Sequence, residues 1–179
     1  MKNNKLDRRK KYTKMIIEDT FIEFYNTQSL NDISVKDICE KADINRSTFY
    51  SHYLDKFDVL EKIKENLFND FKEILVNKGD QIANIAKEVI NLIYDNKKVC
   101  YSLFKDFRDM EFMKEIVELG KKSFDKWKLD STQFNYDLYT YIAAGTVGLI
   151  VKWINKGMKE SIDSLVKKID NFAQILVKA

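Results

Sequence analysis

The 179-residue chain is 45% hydrophobic and 13% aromatic with both charge signs abundant, which supplies a packed core and excludes wholesale disorder. It has no proline and only five glycines, and a β-rich fold of this length would need many turns built from those two residues, so the composition points to an all-α protein. The net charge of +3 is unevenly spread.

Residues 1–14 carry Lys2, Lys5, Arg8, Arg9, Lys10, Lys11 and Lys14 against Asp7 alone, leaving the rest of the chain net acidic. A basic arm on a mildly acidic body suits contact with a polyanion; a solvated tail is the alternative reading. The arm lacks an apolar signal core, and the uncharged stretch Leu138–Val151 is too short to span a bilayer. The expectation is a cytoplasmic protein without membrane contact.

In chain order, a first helix is predicted from Arg8 to Asn26, with Ile16, Ile17, Thr20, Phe21 and Phe24 on one face. After a polar turn over 27–32, Ser34 reads as an N-cap with Asp37 three residues on, opening a short helix over 35–42. Asp43-Ile44-Asn45 is a tight connection, and Asn45 caps another short helix over 46–52. Asp55 caps a long helix whose apolar stripe is Phe57, Leu60, Ile63, Leu67, Phe68, Phe71 and Leu75, ending at Gly79. Asp80 starts the next, and Asp95-Asn96 breaks it. Residues 97 to about 129 read as helical with an interruption near Phe107–Asp109. Asp130-Ser131-Thr132 caps a helix that Gly157 closes, and Ser161 caps the last one. About nine helices result, divided into a domain over 1–54 and a second over 55–179.

Two short helices joined by a three-residue turn, after a longer first helix, form a helix-turn-helix. Its second helix should bury a few apolar residues and show small polar ones to the major groove. Phe49 and Tyr53, four apart, share an inward face that can anchor on Ile38 and Phe24. Arg46, Ser47, Thr48, Tyr50, Ser51 and His52 are left for DNA: arginine can read guanine, and the hydroxyls, phenol and imidazole can reach bases or phosphates. Lys56 can take a further phosphate, and Lys10, Lys11 and Lys14 supply the arm's contacts.

The stretch from Ser34 to Leu60 resembles the DNA-binding domain of the TetR family of bacterial regulators. Ser34, Ile38-Cys39, Thr48-Phe49-Tyr50, Tyr53 and Lys56 with Leu60 meet the family pattern in register over about residues 8–60. The resemblance implies that Ser34 and Lys36 touch the DNA backbone and that the recognition-helix residues and Lys56 make the remaining contacts. Asp43 stands where the family usually has glycine, which is acceptable because Asp tolerates a left-handed backbone; Ser47 stands where glycine is frequent, leaving base preference open. The segment YIAAGTVGLIVKWINKG, followed by a short capped helix, resembles more loosely the last two helices of a TetR subgroup found in Gram-positive bacteria. The family implies a repressor released from a palindromic double-stranded DNA operator by a small molecule. A TetR-like co-regulator acting through a protein partner is the alternative.

Leu138, Ile142, Gly145, Leu149 and Trp153 form one stripe of that helix, and Ala143, Val147, Ile150 and Ile154 a second. A helix apolar on two faces must bury both. The monomer core takes one, and a homodimer partner covers the other together with Ile162, Leu165, Ile169 and Phe172 of the last helix. The competing reading makes the helix simply central in the monomer.

Tyr94, Tyr101, Phe104, Phe107, Phe112, Phe124, Trp127, Tyr139 and Tyr141 are candidates to line a pocket for a small apolar or aromatic effector; ordinary core is the competing reading. Cys39 and Cys100 fit no metal or redox spacing and read as buried thiols, and no cofactor is implied. The one histidine, His52, lies in the recognition helix, and no acid, base and nucleophile cluster together, so the sequence offers no catalytic site.

Overall fold

The computed structural model describes the backbone of residues 2–77, 82–124 and 136–178, with side chains for 8–76, 85–122 and 137–176. Gly79, Asp80, Trp127, the Asp130–Thr132 cap and the Phe124 side chain lie outside the described residues. Those described form nine α-helices and two 3-10 turns, with no strand among them. They divide into two compact units, residues 1–66 and 67–179.

The first unit holds α1 (Lys2–Thr27), a 3-10 turn (Leu30–Asp32), α2 (Val35–Lys41), α3 (Arg46–Tyr50) and the start of α4 (Lys56–Asn77). The basic arm is the first turns of α1 rather than a separate tail. Ile17, Phe21 and Tyr25, at helical spacing, are buried in the core of this unit, as are Ile38, Phe49 and Val59. Phe57, expected on the apolar stripe of α4, is 48% exposed; Val59, Leu60 and Ile63 fill the inner face instead. The stripe therefore starts two residues later than the hydrophobic pattern suggested.

The turn between α2 and α3 explains how a chain without a glycine there closes a helix. Ile44 N–H donates to Cys39 O at 3.0 Å and Asp43 N–H to Glu40 O at 3.4 Å, with Asp43 at φ 52°. This is the paired bonding of a Schellman ending, with Asp in the left-handed position that glycine commonly fills.

The second unit holds the rest of α4, then α5 (Ile82–Asp95), α6 (Lys97–Phe104), a 3-10 turn (Lys105–Phe107), α7 (Met110–Phe124), α8 (Tyr136–Asn155) and α9 (Ile162–Lys178). The expected interruption after residue 97 falls at Asp106 and Phe107, both with positive φ. Asn155 braces this corner: its amide nitrogen donates to Asp106 Oδ1 at 3.0 Å, and its oxygen accepts from Asp106 N–H at 3.3 Å. Asp109 then caps α7 through Phe112 N–H at 2.9 Å. Gly157, at φ 73°, closes α8, with Met158 N–H reaching back to Trp153 O at 2.9 Å. Leu103, Phe112, Ile90, Ile154 and Leu165 form the centre of this core, each at most 1% exposed.

Candidate nucleic-acid interface and ligand cavity

Side-chain caps fix the helix-turn-helix at both of its helix starts. Ser34 Oγ accepts the Asp37 N–H at 3.1 Å and donates its own proton to Asp37 Oδ2 at 2.6 Å. Asn45 Oδ1 accepts three protons, from Thr48 N–H at 2.7 Å, the Ser47 hydroxyl at 2.7 Å and the Thr48 hydroxyl at 2.8 Å. A freed backbone donor at a helix start is thereby satisfied, and the two hydroxyls are pre-oriented. Ser51 Oγ donates to Thr48 O at 2.7 Å. With their protons held internally, Ser47, Thr48 and Ser51 offer lone pairs to a base amino group; donating to a phosphate requires the hydroxyl to turn.

Phe49 and Tyr53 are 0% and 2% exposed, whereas Arg46, Ser47, Tyr50 and Ser51 are exposed and Thr48 and His52 half-buried. Tyr53 anchors the end of the recognition helix on α1, its phenol donating to Glu18 Oε1 at 2.8 Å. Burial first, and then the Glu18 carboxylate, push the Tyr53 pKa well above its usual 10.0. Tyr50 packs edge-on against Phe49 with ring centroids 5.5 Å apart, which holds an exposed ring in one orientation.

The remaining sequence-derived contacts divide. Lys10 and Lys11 are exposed on α1; Lys14 sits 3.7 Å from Glu18 and Lys36 3.7 Å from Glu40. Such surface pairs cost little to break. Lys56 is bonded within the unit. Its ammonium donates to Asn31 O at 2.7 Å and Ile33 O at 2.8 Å, which uses two of its three protons to tie the turn before α2 to the start of α4. Tyr12, 60% exposed beside Lys11, was not singled out from the sequence, although an aromatic within a basic run was its signal.

In the second unit an apolar cavity of about 260 Å³ lies among α4, α5, α6, α7, α8 and α9. Its lining is mostly aliphatic, as at Leu75, Ile90, Ile116, Val147 and Ile150, and not the aromatic set expected. Among the described residues, Phe104 and Tyr139 of the expected set line it. Tyr94 is 42% exposed and rests on Trp153, Tyr101 lies under Lys105, and Tyr141 is 67% exposed. Hydrophobic periodicity cannot tell which apolar side chains border a void, so aromatic size misled the reading.

A separate apolar groove runs between α8 and α9, lined by Tyr141, Ile142, Gly145, Leu149, Phe172 and Ile175 among others. Trp153, Leu165 and Ile169, expected to face a second subunit, are buried within this unit at 2%, 1% and 7% exposure; Trp153 Nε1 donates to Glu160 O at 2.8 Å. Ile162 is half-buried, and Leu138 and Leu149 likewise. Cys39 and Cys100 are buried, and burial pushes the Cys100 thiol up to about 12. Among the described residues no cluster of His, Cys, Asp and Glu could hold a metal, and no helix is long and apolar enough to cross a membrane.

A capped helix-turn-helix with an outward polar face, followed along the chain by an all-helical unit, defines a helix-turn-helix transcription regulator. Residues 80–174 match a TetR C-terminal family model described as a transcriptional regulator C-terminal region. Over 178 residues the chain is 34% identical to the HTH-type dhaKLM operon transcriptional activator DhaS of Lactococcus lactis, covering 93% of this chain and 91% of that protein. The chain belongs to the TetR family of transcriptional regulators. It is also 21% identical over 165 residues to the uncharacterized HTH-type regulator YxbF of Bacillus subtilis; the match covers 86% of this chain but only 42% of YxbF, so the chain spans less than half of that relative. The fold is that of a TetR regulator from Streptococcus agalactiae, with a TM-score of 0.65 at 21% identity, over 93% of this chain and 96% of that one.

Proposed function

We propose that the chain represses transcription as a homodimer on a roughly palindromic operator, and that a small apolar effector in the second unit's cavity releases it. The observation that carries the DNA reading is the division of α3 into a buried anchor, Phe49 and Tyr53, and an outward face of Arg46, Ser47, Tyr50 and Ser51. Arg46 reads a base edge; Thr48, His52, Ser34 and Lys36 complete the contacts near the backbone; Lys10, Lys11 and Lys14 neutralise phosphates. The functional DNA-binding segment is residues 1–54, within the first compact unit. Two copies read half-sites one helical turn or a multiple apart. The dimer forms through the apolar groove of α8 and α9, where Tyr141, Phe172 and Ile175 are more than half exposed in the single chain.

Genomic selection of bound DNA fragments, followed by footprinting, tests this reading. A shared palindrome protected on both half-sites is the expected result, and binding without sequence preference refutes it. Activation is the second reading, favoured by the likeness to DhaS, which is named an activator. Deleting the gene raises output from the selected promoters if the protein represses and lowers it if the protein activates.

A further inference from the structure

We infer that the cavity takes an aliphatic molecule ending in a hydroxyl or an ammonium group, and that Asp170 turns away chains ending in a carboxylate. This rests on the reading of the cavity as the effector site. A volume of 260 Å³ holds about nine groups the size of a water molecule, at roughly 30 Å³ each. The lining runs along α8 from Tyr139 to Val151, about 18 Å at 1.5 Å per residue, and along α7 from Met113 to Gly120, about 10 Å.

The polar equipment is sparse and one-sided. Among the described lining residues Asp170, half-buried on α9, is the one carboxylate, and no lysine, arginine or histidine accompanies it. Gln174 Nε2 donates to its Oδ2 at 2.8 Å, which fixes the carboxylate. The Tyr139 phenol donates its proton to Val117 O at 2.9 Å, so it is not available to pair an anionic head. Thr146 adds one hydroxyl. A chain with a donor at its end completes the bonding of Asp170 at the rim of the cavity, whereas a carboxylate brought beside it meets a like charge with no cation among the described lining residues to offset it.

Calorimetric titration of the full chain with octan-1-ol, octylamine and octanoate at pH 7 tests this. Octan-1-ol and octylamine should bind, with octanoate at least tenfold weaker. Asp170→Asn should weaken octylamine and bring octanoate to within threefold of octan-1-ol. Ala86→Leu, which fills the cavity from α5, should abolish octan-1-ol binding, with melting curves of both variants confirming that they fold. Octanoate binding as tightly as octan-1-ol, unchanged selectivity in Asp170→Asn, or octan-1-ol binding that survives Ala86→Leu each overturns the ligand assignment. Binding of none of the three overturns the assignment and the effector role of the cavity together, which separates the two failures.

Discussion

Replacing Phe49 with alanine removes a ring that is fully buried between the recognition helix and the core of the first unit. The void costs the lost transfer energy plus a cavity term, about 3–5 kcal/mol for a phenylalanine. For a chain of this size each kcal/mol moves the melting temperature by about 2–4 °C, so the midpoint should fall by about 6–20 °C. Arg46, three residues earlier, is exposed, and Arg46→Ala should change stability by less than about 0.5 kcal/mol. On the operator the order inverts. Arg46→Ala should cost about 1–3 kcal/mol, or about 5–150-fold in affinity, and relax base preference at one position per half-site. Phe49→Ala should lose binding only where the domain has melted. Thermal unfolding and operator titration of both variants at one salt concentration decide the matter. Arg46→Ala unfolding the protein, or Phe49→Ala melting like the unaltered chain while failing to bind, would refute the assignment of the two helix faces.

Neutralising Lys10, Lys11 and Lys14 together should flatten the slope of log K against log salt by about 0.9 for each phosphate left without its cation, with base preference unchanged; an unaltered slope in affinity measurements returns the arm to a solvated role. Tyr53 has a folded pKa raised above its unfolded 10.0, so the folded state holds the extra proton and the associated stability is present below pH 10 and lost as pH rises beyond it. Denaturant titrations from pH 8 to 11 should show that loss, and Tyr53→Phe should remove it. Ile175→Lys places a charge on the α8–α9 groove at a side chain 63% exposed in the single chain, so the protein should fold and sediment as a monomer; a dimer of unchanged affinity would move the interface elsewhere. Gly120→Ala builds a Cβ 2.8 Å from the Tyr139 hydroxyl, which must shift and surrender its bond to Val117; a loss of about 1–2 kcal/mol in chemical unfolding is expected.

The parts legible in the sequence are those governed by local rules. Ser34, Asn45, Asp55 and Ser161 each cap the helix expected of them, because a short side-chain acceptor followed by free N–H groups needs no tertiary information. Asp43 takes the left-handed position assigned to it, and Phe49 and Tyr53 turn inward as their four-residue spacing required. The parts not legible involve competition between distant elements. Lys56 has the residue type for a phosphate, and nothing in the sequence signals that two carbonyls from the turn before α2 also take two of its three protons. Trp153 and Leu165 lie on stripes shared between the unit's core and its outer face, and periodicity marks a stripe as apolar without saying which neighbour covers it. The cavity lining is the extreme case, since it depends on six helices and on what they leave unfilled.

The helix ends at Ser34, Asp43, Asn45, Asp106 and Gly157 are made by side-chain caps or by residues in the left-handed region, and the chain of 179 residues reaches its fold without one proline. Peptide bonds not preceding proline are trans in all but a vanishing fraction even in the unfolded chain. Refolding from denaturant therefore lacks the isomerisation that delays many proteins by tens of seconds. A slow phase in this chain must have another origin, and one that lengthens on dilution times the meeting of two subunits directly.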